Sequence, residues 1–114
     1  MIRDYRDYLQ DILNSMEESI EFTAGMSFDA FTQDRKTINA VVRSLEVIGE
    51  ATKRIPEDIR SQAPAIPWKY MSGMRDKLIH EYFGVDLSIV WAVIQDELPP
   101  LQGEIKKLID QLTT

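Results

Sequence analysis

The stretch "TINAVVRSLEVIGEATKRI", from Thr37 to Ile55, decides the fold predicted for this chain of 114 residues. Its apolar and small residues recur every three or four positions, the spacing that places side chains on one face of an α-helix. Ala40, Val47 and Ala51 form a second, narrower apolar strip on another side of that helix. Two apolar faces predict a central helix, covered on one side by its own chain and on the other by a second subunit. One wide buried face is the alternative.

The rest of the chain repeats the helical periodicity. Apolar residues step by three and four over residues 5–20, where Asp4 can cap the start of a helix and Gly25 can end it. The proline pair in "LPPL", residues 98–101, predicts a sharp corner before the last helix. No segment shows the period of two that is typical of strands. We therefore predict an all-α, up-and-down bundle of about four long helices plus short ones, forming one domain over residues 1–114.

The composition is that of a globular protein, with 44% hydrophobic and 28% charged residues. There is no cysteine, so disulfides and thiolate metal sites are excluded. The longest apolar run, Ile89 to Ile94, is too short to cross a bilayer, and the N-terminus has no signal-peptide pattern. These features predict a cytoplasmic protein that does not interact with membranes.

The net charge of −6 counts against broad binding to nucleic acid, because phosphate contacts need lysine and arginine. A local basic site is still possible, since Lys69, Arg75 and Lys77 are close in sequence, although Asp76 and Glu81 partly offset them. We expect Lys69, Asp76 and Lys77 to support any RNA-binding site.

The only histidine, His80, lies in "RDKLIHEYFG", five residues after Arg75 and two before Tyr82. On a straight helix Arg75 and His80 would be rotated by roughly 140° from each other, so they would not point at one place. Either the helix ends at His80, or Arg75 meets the histidine of a second subunit. Across a twofold axis, two arginines and two histidines would line one groove.

Such a groove suits RNA cleavage without a metal or another cofactor. RNA carries its own nucleophile, the 2′-hydroxyl, and a histidine that titrates near neutrality can move protons to and from it. An arginine can stabilise the charge that builds on the phosphate oxygens. Tyr82 could hydrogen-bond a phosphate or stack on a base. DNA lacks the 2′-hydroxyl and is therefore excluded as a substrate of this chemistry.

The spacing alone also fits simpler roles. A histidine near a helix C-terminus can bind the last carbonyl groups, and Arg75 can pair with a carboxylate such as Glu81. Glu46 and Glu50 could in principle hold a metal. Because the only histidine lies elsewhere, a pairing of Glu50 with Arg54 along one helix is the simpler reading.

A much longer segment resembles the HepT-like toxins, which belong to the HEPN superfamily of small helical ribonucleases. "GMRDKLIHEYFGVDLSIVW", residues 73–91, is similar to their signature segment, in which an arginine is followed by four residues, a histidine, any residue and a tyrosine. "LEVIGEATKRIP" is similar to the central helix of the family. The first half of the chain, "RDYLQDILNSMEESIEFTAGMSFDAF", also resembles the family. So does the segment that begins "IPWKYMSGMRD".

The resemblance implies a function and a partner. HepT-like proteins are toxins of type VII toxin–antitoxin pairs and act as homodimeric, metal-independent endoribonucleases. Carried over to this chain, Arg75 and His80 would be catalytic. A minimal nucleotidyltransferase antitoxin of the MntA type would transfer AMP to Tyr82, and the added bulk and negative charge would block RNA.

Two other functions compete with this one. The chain could be a noncatalytic module that docks a nucleotidyltransferase or serves as its substrate, with Arg75 and His80 binding the nucleotide or the partner. It could also be a structural helical dimer without a site, in which case replacing Arg75 would change stability alone.

Overall fold

The computed structural model describes residues 3–74 and 86–113, and all regular structure in these ranges is helical. The elements, in chain order, are α1 (Tyr5–Thr23), α2 (Phe28–Gln33), α3 (Arg35–Lys53), α4 (Glu57–Arg60), α5 (Trp68–Ser72), α6 (Leu87–Ala92), a π-helical segment (Val93–Glu97) and α7 (Leu98–Leu112). The predicted all-α fold is therefore confirmed.

Helix α1 begins and ends where the sequence predicts. The Asp4 carboxylate accepts a hydrogen bond from the Arg6 backbone N–H at 2.8 Å, and the Asp7 carboxylate accepts one from the Asp4 N–H at 3.0 Å. This reciprocal arrangement satisfies donors that have no partner inside the helix. Just beyond the C-terminal end, Gly25 has φ +77°, a conformation that glycine adopts without the steric cost of a Cβ.

Helix α3 lies at the centre of the described fold and packs against α1, α2 and α5. It begins two residues before Thr37, because Asp34 caps it by accepting a hydrogen bond from the Thr37 N–H at 3.1 Å. The main predicted face is largely buried, whereas in the second strip only Ala51 is buried, and Ala40 and Val47 are half-buried. The described chain therefore covers that second strip incompletely.

Every described α-helix contributes at least one buried apolar residue to the core, and α2 and α6 contribute one each. Phe31 of α2 is completely buried, and Val90 of α6 is 4% exposed. Trp91 of α6 is half-buried and packs its ring against Phe31 at 5.2 Å and Phe28 at 6.0 Å between ring centroids. The largest fully buried side chains include Leu9, Ile12, Met16, Ile48, Met71, Ile94, Leu98, Ile105 and Leu108.

The sharp corner predicted at Pro99 and Pro100 is wrong, because the chain is helical from Leu87 through Leu112. The π-helical segment ends where the Leu98 N–H donates to the Val93 carbonyl, five residues back. The two prolines follow directly and stand at the second and third positions of α7. The start of a helix accepts prolines because its first N–H groups need no partner within that helix.

Within the two described ranges, each helix is too short or too polar to cross a lipid bilayer.

Candidate functional site

Helix α5 leads into the predicted site and is fixed firmly to the core. Trp68 is 8% exposed, and its indole N–H donates to the carbonyl groups of Arg60 at 3.2 Å and Ala63 at 3.0 Å. Met71 is fully buried and Met74 is 7% exposed. Trp68 and Met71 lie on α5 and Met74 follows two residues after its end, so one buried face of this stretch faces the core. Helix α5 itself packs against α3. The chain thus approaches Arg75 from an anchored helix.

The chain leaves the predicted site at a second fixed point, the start of α6. The Asp86 carboxylate accepts hydrogen bonds from the Ser88 N–H, at 2.9 Å, and from the Ser88 hydroxyl. The Ser88 hydroxyl and backbone N–H together lower the pKa of Asp86, so the carboxylate stays charged and caps the helix.

The structure places one of the predicted site residues. Lys69 is exposed on α5. Arg75, Asp76, Lys77, His80 and Tyr82 lie outside the described residues, so their roles remain predictions. The structure describes the two elements that flank the segment 75–85, which are α5 before it and the capped start of α6 after it. We call these two flanking elements the frame.

A contact that the sequence did not predict lies beside this frame. The Glu97 carboxylate, on the last residue of the π-helical segment, lies beside the Tyr70 hydroxyl on α5. Partial burial of Tyr70 and, after it, the neighbouring Glu97 carboxylate raise the pKa of Tyr70 to about 12 from its usual 10.0. The sequence could have singled out Tyr70, because it is an aromatic residue outside the apolar stripe of α5. Nothing in the sequence pointed to Glu97.

The contact between Tyr70 and Glu97 brings the end of the π-helical segment next to α5. Its hydrogen bonds span five residues instead of four, which changes the direction of the side chains that follow. Such single turns occur often at functional sites. Here the segment brings Glu97 to α5, while Val93 and Ile94 stay in the core.

A separate groove of about 220 Å³ lies between α1 and α3, where Tyr8 and Asp11 line one side and Arg43 and Glu50 of α3, with Arg54 just after it, line the other. Glu46, the other candidate metal ligand, has a carboxylate 3.9 Å from the Arg43 guanidinium, an ordinary pair at i and i+3. Over the part of the chain that the structure describes, no cluster of acidic or histidine side chains could hold a metal ion.

The similarity of this chain to known proteins covers most of its length. Residues 12–108 match the family model described as "Ribonuclease HepT-like". "Probable ribonuclease HepT" of Thermococcus cleftensis is 48% identical over 108 residues, which cover 95% of this chain and 98% of that protein. "Putative RNase MJ0127" of Methanocaldococcus jannaschii is 47% identical over 110 residues, covering 96% and 91%. No solved structure matches the chain.

A helical chain that carries the Arg75, His80 and Tyr82 motif within the matched residues falls in the class of small helical ribonucleases. The chain belongs to the ribonuclease HepT-like family. The resemblance noted in the sequence is therefore confirmed, together with the class of enzyme that it implies.

Proposed function

We propose that this protein is the toxin of a toxin–antitoxin pair and acts as a metal-independent endoribonuclease in the cytoplasm. The observation that carries the proposal is the complete motif formed by Arg75, His80 and Tyr82, which lies inside the residues that match the ribonuclease family. The relatives of high identity are named as ribonucleases, and their similarity extends over nearly the whole chain.

The proposed reaction is an internal transesterification of RNA. The 2′-oxygen attacks the adjacent phosphorus and the bond from phosphorus to the 5′-oxygen breaks, which leaves a 2′,3′-cyclic phosphate and a 5′-hydroxyl. His80 of one subunit takes the 2′-hydroxyl proton, and His80 of the other subunit protonates the leaving oxygen. Arg75 donates hydrogen bonds to the phosphate oxygens, where negative charge builds in the transition state.

A homodimer is part of the proposal because the chain has a single histidine, whereas this reaction uses one base and one acid. A twofold axis through the groove supplies both groups from identical subunits. The two copies of Arg75 supply positive charge there, which a protein with a net charge of −6 must concentrate locally to bind RNA.

Regulation by a minimal nucleotidyltransferase antitoxin completes the proposal. The phenolic oxygen of Tyr82 attacks the α-phosphorus of ATP, the phenol loses its proton, and pyrophosphate leaves. The attached AMP places bulk and negative charge two residues from His80, where RNA phosphate must bind. Repulsion and steric exclusion both then oppose cleavage.

Purified protein tests this function directly. We expect it to cleave RNA in the presence of EDTA, and we expect His80→Ala to lower the rate by roughly 10²–10⁴-fold, the usual contribution of general acid–base catalysis. Arg75→Ala should lower it by about 10²–10³-fold, the usual effect of losing one donor to a developing oxyanion. Circular dichroism verifies that each variant keeps its helices. RNA that stays intact with the wild-type protein would contradict the proposal.

A second experiment tests the regulation. The nucleotidyltransferase, supplied with radiolabelled ATP, should label the wild-type protein and leave Tyr82→Phe unlabelled, because phenylalanine has no phenolic oxygen. Tyr70→Phe is the control, since it removes a different phenol from the same half of the chain. Equal labelling of Tyr82→Phe and the wild-type protein would refute the assignment of the modified residue.

A further inference from the structure

Arg60, the last residue of the short helix α4, links the helices that precede and follow it in the chain. Its Nε donates a hydrogen bond to the Ile55 carbonyl at 2.9 Å, and its Nη2 donates to the Thr52 carbonyl at 3.0 Å. Its own carbonyl accepts a hydrogen bond from the Trp68 indole N–H at 3.2 Å. One residue therefore contacts the C-terminal end of α3 through its side chain and the start of α5 through its backbone.

The C-terminal end of α3 is well suited to bind a guanidinium group. The last carbonyl groups of a helix have no α-helical partner, and the helix dipole places a negative partial charge there. A guanidinium carries its N–H donors in a fixed, planar arrangement, so it can bind two carbonyl groups at once. Arg60 is half-buried, which reduces the competition of water for these two bonds.

The placement of α5 depends on this link because the helix is short. It has five residues, and Pro67 at its N-cap has no polar side chain that could cap it. A helix of this length is not stable by itself, so its position comes from its contacts. The single N–H of the Trp68 indole is shared between the carbonyl groups of Arg60 and Ala63, which both lie on the stretch that the Arg60 side chain joins to α3.

The chain reaches the motif directly from α5. Met74 follows two residues after the end of this helix and is 7% exposed, and the next residue is Arg75. A shift of α5 relative to α3 therefore moves the point at which the chain enters the motif. In a catalytic site, a displacement of about 1 Å can lower the rate by roughly 10²-fold, even when its cause lies far from the reacting atoms.

We propose that Arg60 is a positioning residue of the ribonuclease, because it joins α5 to the end of the central helix and so fixes the point from which the chain enters the motif. The inference rests on the proposed ribonuclease function and adds to it a residue outside the motif. Because Nε and Nη2 of Arg60 are engaged with carbonyl groups, Arg60 acts through α5 and not by contact with RNA. Its loss should therefore lower kcat and leave the affinity for RNA unchanged.

Steady-state cleavage of RNA tests the effect on rate. Arg60→Met keeps a long side chain without donors, and we expect it to lower kcat by roughly 10- to 100-fold while KM stays within about twofold of the wild-type value. Arg60→Lys should recover part of this loss, because an ammonium group can donate to the same carbonyl groups but lacks the fixed geometry of a guanidinium.

The control is a variant that loses as much stability at a different place. Ile105 is fully buried on α7, which packs mainly against α1 and the π-helical segment. Of Ile105→Val and Ile105→Ala, the one whose urea midpoint matches that of Arg60→Met is chosen, and all proteins are assayed where circular dichroism shows them folded. We expect the Ile105 variant to keep a kcat within about twofold of the wild-type value, because it leaves α5 in place.

Trp68 reports the link without any cleavage. The chain has two tryptophans, so in a Trp91→Phe background the fluorescence and the indole proton signal belong to Trp68 alone. We expect Arg60→Met to shift the emission of Trp68 to longer wavelength and to speed the exchange of its indole proton, because a loosened α5 opens more often to water. The Ile105 variant should change neither signal.

Binding to an RNA whose riboses carry 2′-fluorine separates positioning from contact with the substrate, because this probe binds without being cleaved. We expect the Kd of Arg60→Met to stay within about twofold of the wild-type value, with the same dependence on salt. A higher Kd together with a salt slope reduced by about one would make Arg60 a phosphate contact and would overturn the inference.

Two further results would overturn it: a kcat of Arg60→Met equal to that of the Ile105 variant, or a lowered kcat with unchanged emission and exchange of Trp68. In both cases the ribonuclease still stands if the wild-type protein cleaves RNA. A wild-type protein that leaves RNA intact would refute the proposed function and, with it, the role of Arg60 in cleavage, whereas the Trp68 signals would still show whether Arg60 holds α5.

Discussion

At the scale of single residues, Tyr70 and Glu97 are 27 positions apart in the sequence, and the Glu97 carboxylate lies beside the Tyr70 hydroxyl. That contact depends on where α5 and the π-helical segment lie relative to each other. The residues that cap helices differ in this respect. Asp4, Ser27, Asp34 and Asp86 each bind a backbone N–H two or three residues ahead, so the sequence alone could predict such contacts.

The ionisation of Tyr70 gives a prediction at this scale. The protein has four tyrosines, and the pKa of Tyr70 is raised to about 12. The absorbance at 295 nm should therefore rise equally for the wild-type protein and Tyr70→Phe up to about pH 11, because Tyr70 is still protonated. A larger rise for the wild-type protein than for Tyr70→Phe over this range would contradict the assignment.

The same shift links Tyr70 to stability. The unfolded chain releases this proton near pH 10, whereas the folded chain holds it to about 12. The contribution to stability is therefore fully present below pH 10 and is lost as the pH rises towards 12. Glu97→Gln should move the Tyr70 pKa part of the way back towards 10, because the burial of the ring remains.

At the scale of elements, two glycines of similar surroundings have opposite roles. A Cβ added to Gly25 or Gly103 would meet no atom within 4 Å, so steric clash with neighbours distinguishes neither. Gly25 has φ +77° beyond the end of α1, while Gly103 lies inside α7 with an ordinary backbone. The backbone conformation alone decides the effect of an added methyl group.

Gly25→Ala and Gly103→Ala should consequently change stability in opposite directions. We expect Gly25→Ala to lower the free energy of unfolding by about 1–2 kcal/mol, the cost of a left-handed conformation for an L-residue. Gly103→Ala should raise it by about 0.5–1 kcal/mol, because alanine has the higher helix propensity. Urea denaturation measures both, and a change of the same sign in the two variants would contradict the structure.

The sequence predicted elements better than it predicted their junctions. Helix α1 followed from periodicity and caps, and the central α3 followed from periodicity, because both signals are local. The continuous helix across Pro99 and Pro100 did not follow, because a pair of prolines predicts a break in a helix. The helix accepts these prolines because they directly follow the π-helical segment. No local sequence propensity predicts a helical turn whose hydrogen bonds span five residues.

At the scale of the whole molecule, the candidate site was predicted from its motif and the family, and not from geometry. The structure shows that the elements on both sides of the segment 75–85 are anchored. It also shows that the described chain only partly covers the second apolar strip of α3. Periodicity predicts which faces of a helix are apolar, but it does not predict which side chains of two subunits meet in one site. The homodimer therefore stays a proposal, and it has a quantitative consequence.

Subunit mixing measures that consequence. Wild-type and His80→Ala subunits are unfolded together, refolded at varied ratios and assayed for RNA cleavage. If each groove needs His80 from both subunits, activity should fall as the square of the wild-type fraction. A linear fall would show that each subunit acts by itself. Mixing with Phe22→Ala is the control and should leave activity unchanged, because Phe22 is an exposed residue outside the motif.

The most direct test of the account is the chemistry of one cleaved linkage. The major cleavage site in a short RNA is mapped in EDTA, and a single ribose there is replaced by 2′-deoxyribose. We predict that the unmodified RNA yields a 2′,3′-cyclic phosphate and a 5′-hydroxyl, and that the substituted linkage stays intact while other sites are still cut. Cleavage at the substituted linkage, or products that end in a 5′-phosphate, would contradict the central claim that the RNA supplies its own nucleophile.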